Sequence, residues 1–85
     1  MTTITVIGKA GCHLCPTALE IVETVVAELP DAIGDDIEIV EMSIDDDPVL
    51  HELWWEKIPV VLINGEFHAQ WRVSADRLRE RLSRR

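Results

Sequence analysis

The chain has two cysteines, and both fall in the stretch Gly8-Lys9-Ala10-Gly11-Cys12-His13-Leu14-Cys15-Pro16, between a β-prone run and an amphipathic one. That arrangement leaves few folds open. Thr2 to Ile7 is β-branched at every position, which disfavours helix and suits a pleated strand. From Leu14 the apolar residues recur at Ala18, Ile21, Val22, Val25 and Leu29, a stripe of period 3.6, while Glu20, Glu23 and Glu28 lie mostly off it. The pattern predicts one helix ending before Pro30, with Pro16 in its first turn, where a missing N–H costs nothing. Gly8 and Gly11 are expected to loosen the backbone between strand and helix.

The rest of the chain reads as short elements. Asp31 to Asp36, with Gly34, predicts a turn, and Ile37-Glu38-Ile39-Val40-Glu41-Met42 a second strand. A helix between two strands implies a right-handed parallel βαβ unit. Asp45, Asp46, Asp47 and Pro48 read as an N-cap followed by proline at the first helical position, opening a short helix to about Trp55 with Leu50, Leu53 and Trp54 inward. These aspartates lack the spaced ligands and closing Glu of a calcium loop. Pro59-Val60-Val61-Leu62-Ile63 is a continuous apolar run, as expected of a strand covered on both faces. Asn64-Gly65 is a hairpin signal, and Glu66 to Trp71 alternates as a half-exposed partner strand should. Ser74 is placed to cap a last helix, with Val73 and Leu78 as its staple and Leu78 and Leu82 facing inward.

Eighty-five residues make one domain, 1–85, that buries only somewhat more than ~60% of its unfolded surface. The net charge of −8 is unevenly spread. Residues 1–71 set Lys9 and Lys57 against fourteen carboxylates, whereas residues 72–85 set six arginines against Asp76 and Glu80. An acidic body argues against nucleic acid as the main partner. The arginines, including Arg77, Arg79, Arg81, Arg84 and Arg85, suit the solvated face and C-terminal end of a terminal helix. With no basic leader at Met1-Thr2-Thr3-Ile4 and no apolar run near the ~18 residues of a membrane helix, a cytoplasmic, unanchored protein is expected.

Two thiols three positions apart at a helix start can close a disulfide through one short loop, and the helix dipole there favours a thiolate. Cys12 is the expected nucleophile, with a pKa below the ~8.5 of a free thiol. Cys15, one turn inside, is the less exposed resolving thiol, and Lys9 and a protonated His13 would stabilise the Cys12 thiolate by opposite charge. Other readings of the pair stay open. A zinc site needs about four ligands and has only His13, His51 and His68 to add, of which the last two read as surface residues. An iron–sulfur cluster bridged between two chains would take two thiolates from each. A reducing cytosol argues against a structural disulfide, and two inert buried cysteines are a further alternative. No resident metal is expected. Cys-x-x-Cys beside a βαβ pattern favours redox chemistry.

On Lys9-x-x-Cys12-x-x-Cys15, the Ile58-Pro59-Val60 entry to the third strand and Asn64-Gly65 after it, nearly the whole chain resembles the thioredoxin-fold superfamily. Within it the likeness is to the short glutaredoxin-like proteins, some of which carry Cys-His-Leu-Cys. The resemblance implies a thioredoxin-like α/β fold: a four-stranded mixed sheet in order 2-1-3-4 with three helices on both faces. It also implies that Pro59 is cis and packs beside the sulfurs, and that Ile58 offers its backbone to substrate. Two departures stand out. Ala69 and Gln70 occupy the place of the Gly-Gly pair of glutaredoxins, with Arg72 at the acidic position that follows, and those residues help hold glutathione in that family. Trp71-Arg72 instead is similar to the aromatic-Arg pair of the ribonucleotide-reductase redoxins, which thioredoxin reductase reduces. His13 and Leu14 replace the usual Pro-aromatic pair between the cysteines.

The function expected is dithiol–disulfide exchange by a monomeric electron carrier with Cys12 and Cys15 as catalytic thiols, Lys9 and His13 tuning the thiolate, and Ile58, Pro59 and Trp71 at the substrate. Its substrate would be a disulfide-bearing protein or small molecule, and its donor thioredoxin reductase or glutathione, with no tightly bound cofactor, membrane or nucleic acid. The rival is a non-catalytic module, a cluster carrier or an adaptor that uses its Trp and Arg surfaces. Trp54 and Trp55 cannot both face inward from a short helix, so one is expected to be exposed.

Overall fold

A computed structural model describes residues 2–83. In chain order the elements are β1 (Thr2–Gly8), α1 (Cys15–Glu28), α2 (Asp31–Gly34), β2 (Ile37–Ser43), α3 (Pro48–Trp54), β3 (Val60–Ile63), β4 (Glu66–Gln70) and α4 (Ala75–Ser83). The sheet has the order β2-β1-β3-β4, with β1 and β2 parallel and the other two pairs antiparallel, as the resemblance implied.

Period-2 alternation along the inner strands divides the core in two. Ile4 and Val6 of β1 and Val61 and Ile63 of β3 face α1 and α4, where they meet Ala18, Val22, Val25, Leu78 and Leu82. Ile7 and Val60 face the other way and pack with Ile44, Leu50, Trp54 and Ile58. Coverage on both sides is why β3 is apolar throughout. Both sequence-predicted caps form. Asp47 Oδ1 accepts the Val49 N–H at 2.9 Å ahead of Pro48, and Ser74 Oγ accepts the Arg77 N–H at 3.2 Å with Val73 and Leu78 buried beneath. Asn64 and Gly65 both have positive φ, 52° and 82°, the requirement of a type I′ hairpin turn. Asn64 also joins the turn to β1: its Oδ1 accepts from the Thr3 N–H and its own N–H donates to Thr3 O.

Several expectations are corrected. Asp31–Gly34 is a short helix rather than a plain turn, so the described residues form four helices, not three; Pro30 O receives the Ile33 and Gly34 N–H groups at its start. Gly8 is not a loosener of the loop but the buried last residue of β1, paired with Ser43. Leu14 precedes α1 as its N-cap and is 39% exposed. Leu53 is exposed, because Leu50 and Trp54, four apart, take the one narrow inward face of a two-turn helix. Trp55 is the exposed member of its pair and stacks on His51, whereas Trp54 stacks on Phe67. Clean alternation fails in β4 because of a bulge. Val61 pairs with Ala69 and Leu62 with Phe67, leaving His68 as the extra residue. Arg84 and Arg85 lie outside the described residues. No helix among the described residues is long and apolar enough to cross a membrane.

A candidate redox site at the mouth of the first helix

The loop from β1 to α1 is shaped by one glycine. Gly11 has φ 80°, and the Cys12 N–H returns to Lys9 O at 3.4 Å, so Lys9-Ala10-Gly11-Cys12 forms a turn that needs positive φ at its third position. Cys12 leaves this turn and is disulfide-bonded to Cys15, the first residue of α1, with their Cα atoms 5.5 Å apart. Leu14, at the N-cap, makes no side-chain capping bond, and the first turn holds no acidic residue. Leucine is a poor N-cap by ~1 kcal/mol against Ser or Asp. The opening N–H groups and the positive end of the helix dipole are thus left uncompensated beside the sulfurs, an environment that favours a thiolate once the bond is reduced.

Both cysteines are half-buried, and Lys9 and His13 are exposed on the same loop. Behind Cys15 stands Gly8: a Cβ built there would lie 2.6 Å from the Cys15 Sγ and 3.1 Å from its Cβ. Only a bare backbone lets β1 pass so close under the sulfur. From sequence Gly8 is expected only to loosen the loop, although a lone glycine closing a strand is a signal of close backbone approach. On the β2 side the disulfide borders a cleft of about 600 Å³ whose far wall is Glu41, Met42, Ser43 and Asp46, also unforeseen.

The Ile58–Pro59 peptide is cis, and Pro59 is fully buried. Ile7 pairs with Val60, which brings Pro59, the residue before Val60, to the end of β1 where Gly8 leads into the cysteine loop. Among the described residues no turn or loop hydrogen bond uses the backbone of Ile58, which packs its side chain into the α3 core. Trp71 lies at the groove edge, not in the core. It is 52% exposed, its N–H donates to Pro59 O at 2.9 Å, and its indole Nε1 donates to Glu56 O at 2.9 Å. Its φ is 62°, and the Arg72 N–H donates to Gln70 O at 2.7 Å, a tight turn that costs strain at a bulky residue. Two bonds to residues 56–59 hold that strain in place. Among the described residues no group of three or more His, Cys, Asp or Glu side chains could hold a metal ion.

A four-stranded mixed sheet in this order, with a cysteine pair opening the first helix and a cis-proline entering the third strand, defines a protein of the thioredoxin-like class. The chain belongs to the Glutaredoxin-like domain family (DUF836), whose model matches residues 3–83. Among relatives, the uncharacterized protein Rv0508 of Mycobacterium tuberculosis is 29% identical over 84 residues, 95% of this chain and 82% of that one. The X-ray structure of protein XcR50 from X. campestris is similar at TM-score 0.70 and 25% identity, over 93% of each chain. Chloroplastic thioredoxin z matches at TM-score 0.73 and 17% identity, over 96% of this chain and 75% of that one, a likeness of fold alone.

Proposed function

We propose that this protein is a thiol–disulfide oxidoreductase of the reducing cytoplasm, an electron carrier working through Cys12 and Cys15. The observation that carries this reading is the Cys12–Cys15 bond at an uncapped helix mouth, seated on the bare backbone of Gly8. In the reduced protein the Cys12 thiolate attacks one sulfur of a substrate disulfide. The substrate S–S bond breaks, one thiolate leaves, and Cys12 is joined to the other half. The Cys15 thiolate then attacks the Cys12 sulfur, forming the Cys12–Cys15 bond and releasing the second substrate thiolate. Two electrons pass to the substrate, and its two thiolates take protons from solvent. Lys9, on the same loop, favours the Cys12 thiolate by charge, and His13 adds to it in its protonated form. Ile58 offers unused backbone to an extended substrate segment in the manner of strand addition, with Pro59 and Trp71 lining its path.

The oxidised pair must be reduced by a dithiol or thiol donor. Ala69, Gln70 and Arg72 do not supply the glycine pair and acidic residue that hold glutathione in glutaredoxins, so thioredoxin reductase is the donor we favour. Insulin and glutathione mixed disulfide are the substrates for the test, with thioredoxin reductase and with glutathione plus its reductase offered separately. Turnover with the first donor and little with the second is expected. No turnover with either, with binding of cellular partners unchanged when both cysteines become serine, would favour the adaptor reading instead.

A further inference from the structure

The bulge in β4 turns two successive residues toward the same face. Phe67 stacks on Trp54 on the α3 side, whereas Ala69 packs into the α1/α4 core and His68, beside it, lines a cleft with Arg77 and Arg81 of α4. Three clefts join along this line by shared residues. The first runs from Leu14, between the cysteines, to Trp71 and Arg72. The second, of about 430 Å³, continues from Arg72 past His68 to Arg77. The third ends at Arg81, where Glu80 also lines the wall.

Charge makes this trench unlike the rest of the surface. Arg79 points elsewhere and bonds Glu28 and Asp76, at 2.8 and 2.9 Å. Among the described residues Arg72, Arg77 and Arg81 are in no ion pair. His68 lines the last cleft with Arg77 and Arg81, and its pKa is lowered by burial first and then by the charges of Arg81 and Arg77. On the other side of the disulfide, Glu41 and Asp46 line the cleft wall. The cleft that holds the sulfurs thus has two carboxylates in its wall beside Lys9, whereas the trench that begins at Leu14 carries arginines, on a protein of net charge −8.

We propose that the trench from Leu14 through Arg72 to Arg77 and Arg81 receives an acidic stretch of the partner protein whose thiols exchange with Cys12–Cys15. The proposal rests on the dithiol reading above and names the chemistry of the partner. Carboxylates along the track orient the partner so that its reacting sulfur arrives beside Leu14, and surface charge of this kind acts on encounter and register more than on total affinity. A nucleic acid is disfavoured, because phosphates extending beyond the track meet the acidic body.

The test uses the oxidised protein and two short fluorescent peptides that carry serine in place of the exchanging cysteine, flanked in one by Asp and Glu and in the other by Lys. Anisotropy titration at low salt is expected to show tighter binding of the acidic peptide, although the overall charge of the protein favours the lysine one. Arg77→Gln with Arg81→Gln should weaken the acidic peptide roughly three- to tenfold, the scale of two exposed ion pairs. Exchange with hydroxyethyl disulfide, small and neutral, should be unchanged in that variant. Equal or tighter binding of the lysine peptide, an acidic-peptide affinity indifferent to the double substitution, or tighter binding of a single-stranded oligonucleotide would overturn the proposal. Wild-type protein inert toward hydroxyethyl disulfide would instead overturn the dithiol reading, and the peptide titration would still decide the trench.

Discussion

Gly8 lies directly beneath Cys15: a Cβ at position 8 would come within 2.6 Å of the Cys15 sulfur. The contact joins the end of β1 to the first residue of α1, and it makes the position of the cysteine pair depend on a residue that has no side chain. Gly8→Ala forces either β1 or Cys15 to move, and β1 is held by its pairing to Ser43 and by the Ile44 N–H on Gly8 O. Overpacking of this kind costs ~1–3 kcal/mol, so urea denaturation of the oxidised protein should show that loss, with a fall in exchange rate. An unchanged midpoint and rate would mean that the sulfur has room the geometry does not give it.

The two cysteines should part in function. Cys12→Ser is expected to abolish exchange, whereas Cys15→Ser should still attack a substrate disulfide but stall as a mixed disulfide, visible as an added mass by intact-protein mass spectrometry and reversed by dithiothreitol. The opposite pattern would exchange the roles of the pair.

Trp71 separates stability from function. Trp71→Gly loses the bond to Glu56 but relieves a left-handed backbone that costs a side-chain-bearing residue ~1–2 kcal/mol, so its stability should stay within about 1 kcal/mol of the wild type. Its exchange with a protein disulfide should nonetheless fall, through a higher KM, because the Glu56–Pro59 segment loses its clamp. Trp71→Phe keeps the strain and loses the indole bond, and should be the less stable of the two.

His68 gives the fold a pH dependence. Its pKa is lowered from the ordinary 6.5 by burial, then Arg81, then Arg77, so below that value the unfolded chain takes up the proton first. The stability held above pH 6.5 is therefore lost as pH falls through that value toward the lowered one in the fold. Thermal melts should show the wild type losing more Tm between pH 7 and 5 than His68→Gln. Parallel pH profiles would remove the coupling to the two arginines.

Asp47→Ala removes the cap of α3 and should cost ~1 kcal/mol in denaturation, with exchange toward a small disulfide unchanged, since α3 covers the sheet face away from α1.

Much of this protein was legible residue by residue. The β-branched run to Ile7, the stripe from Ala18 to Leu29, the cap at Asp47 and the Asn64-Gly65 turn are written in short windows, where backbone propensity and side-chain period act within a few residues of one another. The alternation expected of β4 was misread because a bulge is set by the register against β3, not by the strand's own pattern. Leu53 was misplaced for a like reason: two turns of helix have one inward line, and the sheet beneath chose Leu50 and Trp54 for it.

The sequence by itself determined that two thiols stand one turn apart where a strand hands over to a helix, and that a proline precedes a buried strand. Tertiary structure alone decided that Gly8 underlies Cys15, that Pro59 comes to the end of β1, that Trp71 bonds Glu56 and Pro59, and that His68 shares a cleft with Arg77 and Arg81. Those meetings join residues far apart in the chain, and they follow from strand register and the packing of two helices on one face, which no local pattern encodes.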